Sequence, residues 1–101
     1  MTITEVKARN REAGQHWFSP STMRFFRSKV ARWTKTAADG RVYFVSSEQF
    51  VGSSGIASPR QYTVRVQQLD GSIDTIGEFQ AYETLAEAKR AAAEASKGEA
   101  K

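Results

Sequence analysis

The chain has 101 residues, enough for one domain and too few for two, and its 40% apolar and 26% charged residues are ordinary for a globular protein. Cysteine is absent, which excludes disulfides and thiolate metal sites. The net charge of +4 is uneven: residues 1–70 carry eleven Lys and Arg against five Asp and Glu, whereas residues 71–101 carry four against six. A basic balance favours contact with nucleic acid or acidic protein surfaces and disfavours an acidic decoy, although charge also serves plain solubility.

Thr2 to Glu5 has the spacing of a capping box and predicts a short helix from Ile3 to Ala13, stopped by Gly14. This opening is polar and charged, without the pattern of a secretion leader, and no apolar run approaches a membrane span. A cytoplasmic protein with no membrane partner is expected. Ser19-Pro20 reads as an N-cap followed by proline at the first helical position, where its missing N–H costs nothing. A second helix over Pro20–Arg27 follows, with Met23 and Phe26 on the face that anchors the core and Arg24 and Arg27 on the other flank.

Val30–Thr34 and Val42–Ser46 read as strands joined across Asp39-Gly40, a hairpin turn. Gln49 to Pro59, with Gly52-Ser53-Ser54-Gly55 inside it, has the composition of a flexible loop. Gln61–Gln67 alternates, with Tyr62, Val64 and Val66 on the buried side and Thr63, Arg65 and Gln67 on a solvent side. Asp70-Gly71 supplies the second hairpin turn, into a fourth strand over Ser72–Gln80 with a bulge near Gly77. Thr84 to Glu87 is another capping box, opening a helix over Leu85–Ser96 with Leu85, Ala88, Ala92 and Ala95 on one face. The expected fold is a single α+β domain over residues 1–101: a four-stranded antiparallel sheet of two hairpins, two short N-terminal helices and one C-terminal helix, with the helices on one face of the sheet. Residues 1–2 and 97–101 should fray.

The chemistry-bearing patterns are few. His16 is the only histidine and has no positioned partner in sequence, so a structural or exposed residue is the reading preferred over a general base. Gly52 to Gly55 is neither a serine elbow nor a phosphate loop, and Asp70 and Asp74 fall short of a calcium loop. Glu78 and Glu83 carry no mark of an acid–base pair. The chain therefore reads as a non-enzyme without catalytic residues, metal or cofactor.

Binding residues remain. Arg24, Arg27, Lys29, Arg32 and Lys35 interleave with Phe25, Phe26 and Trp33, and Arg41, Arg60 and Arg65 can extend the set. Cations for phosphates and aromatic faces for bases are what nucleic-acid binders combine. The competing and preferred reading puts the aromatics in the core and leaves only the cations outside. Exposure of Trp33 or Tyr43 beside the arginines decides between them.

Four segments together resemble a group of small proteins encoded by phages, prophages and plasmids: His16 to Phe26 (HWFSPSTMRFF), Tyr43 to Glu48 (YFVSSE), Pro59 to Arg65 (PRQYTVR) and Ile76 to Gln80 (IGEFQ). The likeness spans Lys7 to Ala92. The group carries no established activity, so the resemblance supplies context and no catalytic residues. It implies a small accessory protein of a mobile element that binds a host or phage macromolecule, some such proteins being inhibitors of host defence. The expected partner is a host protein or ribonucleoprotein complex, such as a CRISPR effector, met by Arg24, Arg27, Lys29, Arg32, Arg41, Arg60 and Arg65. The alternative is a basic protein that contacts RNA or DNA phosphates directly.

Overall fold

The computed structural model describes residues 1–25, 27–52 and 55–98, with Phe25 described by its backbone alone. Seven elements follow one another: α1 (Ile3–Glu12), α2 (Pro20–Phe25), β1 (Lys29–Thr36), β2 (Val42–Glu48), β3 (Gln61–Gln67), β4 (Ile73–Ile76) and α3 (Leu85–Gly98). The strands form one antiparallel sheet in the order β1-β2-β3-β4. This is the expected α+β arrangement.

Each local signal acts through a bond to a near neighbour. At α1 the Thr2 hydroxyl accepts from the Glu5 N–H (3.2 Å) while the Glu5 carboxylate accepts from the Thr2 N–H (2.8 Å), a complete capping box. At α3 the Thr84 hydroxyl accepts from the Glu87 N–H (3.2 Å), but it also donates to the Glu87 carboxylate (2.9 Å). The two hairpin turns have the same construction. Gly40 donates to Ala37 and Gly71 to Gln68 (both 3.0 Å), and both glycines adopt φ above +90°, a conformation that other residues resist.

The sheet is covered on both faces, which corrects the expectation that the helices share one. On the first face Tyr43, Val45, Val64 and Val66 pack against Ala88 and Ala92 of α3, with Trp33, Tyr62, Tyr82 and Leu85 closing the cluster. Small residues along α3 let its backbone approach the sheet. On the second face Val42 and Phe44 pack against Val6 of α1, and Trp17 and Phe18 stack edge-on or tilted against Phe44. Strand β2 is therefore buried at all seven positions, and period-two alternation disappears from its exposure.

The same covering corrects the reading of β3. Thr63 and Gln67, assigned to solvent by alternation, are fully buried. Gln67 Nε2 donates to the Val6 carbonyl (2.8 Å) and the Gly71 carbonyl (3.3 Å), and Asn10 Nδ2 donates to Gly71 as well (2.9 Å). Asn10 Oδ1 accepts from the Trp17 N–H (2.7 Å). These bonds clamp α1 onto the second hairpin turn and satisfy Asn10 at both ends, whereas Gln67 is paired through Nε2 and its Oε1 has no partner among the described residues.

Other boundaries move for physical reasons. Strand β4 ends at Ile76 instead of continuing to Gln80, because Gly77 (φ +73°) turns the chain away and Gln80 (φ +57°) turns it again. The sheet's irregularity lies in β1, between Val30 and Thr34, and not near Gly77 as expected. Met1 lies against β1, its ammonium donating to Thr36 Oγ1 (3.3 Å) and its carbonyl accepting from Thr34. Met23 is half-buried at the surface and belongs to neither core cluster; Phe26 and the loop tip Ser53-Ser54 lie outside the described residues, as do 99–101 of the expected frayed tail.

Candidate partner-binding surface

Helix α2 starts at Ser19, whose hydroxyl accepts from the Thr22 N–H (3.4 Å), and ends where Arg27 and Ser28 donate back to Arg24 (3.2 Å) and Met23 (2.7 Å). The chain then enters β1 at Lys29, opposite Ser47 near the end of β2, while Gln61 opens β3 opposite Glu48. Residues far apart in sequence thus meet at one end of the sheet. Arg24, Arg27, Lys29 and Arg60 line an open depression of about 460 Å³ together with Pro20, Met23, Ser28 and Gln49. None of these lining residues is acidic. Arg60 is held in place by a single nitrogen: Nη1 donates to the Arg27 carbonyl (2.9 Å), the Ser47 carbonyl (3.1 Å) and Ser47 Oγ (2.9 Å).

The other three candidate cations do not join it. Arg32 is exposed along β1, within the irregular stretch. Arg41 sits at the opposite end of the β1–β2 hairpin, where its Nε bonds Asp39 Oδ2 (2.7 Å). The Arg41 backbone N–H first, and then its side chain, hold the Asp39 carboxyl below the usual range.

Arg65 is an internal residue. Its side chain is only 11% exposed, with Nε donating to Ser46 Oγ (2.9 Å), Nη2 to Glu48 Oε2 (3.3 Å) and Nη1 to Thr75. The guanidinium lies over the Trp17 ring (5.2 Å) and the Phe79 ring (5.6 Å). Burial lowers its pKa and the Glu48 carboxylate opposes that shift; an arginine starts so high that it stays charged at neutral pH. Glu48 also accepts from Ser46 (2.7 Å) and Thr63 (2.8 Å), and Thr63 in turn accepts from the Gln80 N–H (2.8 Å). This buried network was missed in the sequence. Its one sequence signal is parity: Ser46 and Glu48 alternate in step with Phe44, as Arg65 does with Thr63.

Trp33 and Tyr43 both turn toward α3, Tyr43 completely buried and Trp33 half-buried, so neither stands beside the arginines as a stacking face. Of the two readings drawn from the sequence, the one with aromatics inside holds for these residues. A second depression, of about 310 Å³, is lined by Lys7, Arg11, His16, Phe18 and Pro20, among others. Pro20 belongs to both depressions.

A family model matches residues 2–93, a span that contains both depressions and all four strands. The chain belongs to a family of unknown function, DUF7447. No curated protein and no solved structure matches it. In this DUF7447 member no helix among the described residues is long and apolar enough to cross a membrane, and no group of His, Asp and Glu among them could hold a metal ion.

Proposed function

We propose that this protein works without catalysis, as a small accessory protein of a phage or mobile element that binds a host protein or ribonucleoprotein stoichiometrically, inhibition of a defence complex being its concrete form. One observation carries this reading: Arg24, Arg27, Lys29 and Arg60 converge on one depression, and none of the described residues that line it is acidic. Arginines so placed serve recognition, since each offers a planar set of donors to carboxylate or phosphate. Phe50 and Ile56, exposed on the loop that follows Gln49, add apolar area of the kind interfaces bury. Two features argue against turnover. His16 has no side-chain hydrogen-bond partner among the described residues to position it as a base, and Glu48 is saturated by Ser46, Thr63 and Arg65. The resemblance to small proteins of phages and plasmids supports the mobile-element setting.

The test is phage plating on bacteria that carry an active CRISPR effector, with and without this protein. Wild type should restore plating, and the triple variant Arg24→Glu/Arg27→Glu/Lys29→Glu should lose that effect while keeping its circular dichroism. A wild-type protein that neither restores plating nor co-elutes with the purified effector would overturn the reading.

A further inference from the structure

Two helices of this chain end in the same way but with different residues at the critical position. At the end of α1, Gly14 donates to the Arg11 carbonyl (2.9 Å) and Gln15 to the Asn10 carbonyl (3.2 Å), with Gly14 left-handed at φ +76°. At the end of α2, Arg27 donates to Arg24 (3.2 Å) and Ser28 to Met23 (2.7 Å), with Arg27 left-handed at φ +50°. Glycine is the inexpensive occupant of this position, and a side chain there strains the backbone. The chain uses glycine at the first terminus and an arginine at the second; His16 (φ +53°) and Gln80 (φ +57°) are also left-handed.

Arg27 lies among other cations. The Arg27 carbonyl is one of three acceptors that pin Arg60 Nη1, which fixes the plane of the Arg60 guanidinium and leaves Nε and Nη2 without a partner among the described residues. Arg24 and Lys29 complete the rim. Through Pro20 this depression adjoins the one lined by Lys7 and Arg11, which gives six cations along two adjacent hollows. A protein surface offers carboxylates singly and among counter-charges, whereas a nucleic acid offers many phosphates together, the ligand that suits several cations lining hollows with no acidic residue among the described residues of their lining. Trp33 and Tyr43 turn inward, so neither gives these cations a stacking face for bases.

Resting on the binding function above, we propose that the anion this surface takes is the phosphodiester backbone of a nucleic acid, free or carried by a ribonucleoprotein, and that Arg27 and Arg60 form its oriented clamp. Affinity is then independent of sequence and falls steeply with salt.

The experiment is fluorescence anisotropy at low salt with two probes, a uridine homopolymer and a mixed-sequence DNA duplex, run beside thermal melts of the same samples. Arg27→Gly keeps the carbonyl that holds Arg60 and relieves the left-handed strain. It should melt at the same temperature as wild type or higher, bind at least one probe about tenfold more weakly, and make the log–log salt dependence shallower by about one. Arg60→Gln should weaken binding similarly. Unchanged affinity in Arg27→Gly would overturn the clamp. Failure of wild type to bind either probe would overturn the nucleic-acid assignment. If the triple glutamate variant still abolished plating rescue in that case, stoichiometric binding would stand with an acidic protein as its target; if plating were also unaffected, the binding function itself would fall.

Discussion

Removing the Glu48 carboxylate tests the buried network most directly. Glu48→Ala deletes three bonds at once, from Ser46 (2.7 Å), Thr63 (2.8 Å) and Arg65 (3.3 Å), and leaves the Arg65 cation without its counter-charge. Breaking a buried ion pair from one side costs about 3–5 kcal/mol, because the remaining charge stays desolvated. Arg65 keeps its bonds to Ser46 and Thr75 and an 11% exposed side chain, so the low end applies, about 3 kcal/mol. Against a total stability of about 5–15 kcal/mol for a domain of this size, that is a large share. Urea unfolding followed by tryptophan fluorescence is suited to the measurement, since Trp17 lies against the Arg65 guanidinium. The midpoint should fall with little change in slope. The double variant Glu48→Leu/Arg65→Met should recover the part of the loss due to the unpaired charge, while the buried Ser46 and Thr63 hydroxyls still lack the carboxylate they donate to. A Glu48→Ala midpoint corresponding to less than about 0.5 kcal/mol, with no coupling to Arg65, would refute the reasoning, since that is the scale of an ordinary surface substitution.

Gly71→Ala should be markedly worse than Gly77→Ala, although both glycines have positive φ. A Cβ at Gly71 would meet Ala13 Cβ at 2.8 Å and the Arg9 carbonyl at 3.1 Å, whereas one at Gly77 meets nothing within 4 Å. Strain alone gives about 1 kcal/mol at Gly77, and strain with the clash against α1 gives about 3 kcal/mol at Gly71, both readable from urea midpoints. Acid should destabilise the protein through Glu5, Asp39 and Asp70, whose carboxyls are all held below their ordinary values. For Asp70 the cause is the Ser72 hydroxyl and then the Ser72 N–H. A depressed folded-state value means the contribution is full above about pH 4 and disappears as pH falls through it. Asp70→Asn should therefore be less stable at neutral pH and lose less on acidification; midpoint-against-pH curves that run parallel to wild type would contradict this.

What could be read in the chain is what its neighbours in sequence enforce. Thr2 with Glu5, Thr84 with Glu87, Asp39-Gly40 and Asp70-Gly71 each act over two to four residues, and each appears in the structure where the sequence places it. The alternation of Tyr62, Val64 and Val66 likewise marks one side of β3 correctly. Of the candidate surface, residue types were legible but grouping was not: Arg24, Arg27, Lys29 and Arg60 converge, Arg41 pairs with Asp39, and Arg65 is internal.

Tertiary structure alone decided which faces meet water. Period two separates Thr63, Arg65 and Gln67 from their apolar neighbours, yet it does not say whether that face is solvated or covered. Here α1, Trp17 and Phe79 cover it, and the polar donors find partners far along the chain, Glu48 for Arg65 and the Val6 carbonyl for Gln67 Nε2, while Gln67 Oε1 has no partner among the described residues. The same holds for the Arg60 guanidinium, fixed by a carbonyl 33 residues earlier. A polar side chain carries the same donors and acceptors whether water or protein answers them, so only the folded chain distinguishes a solvent face from a buried network.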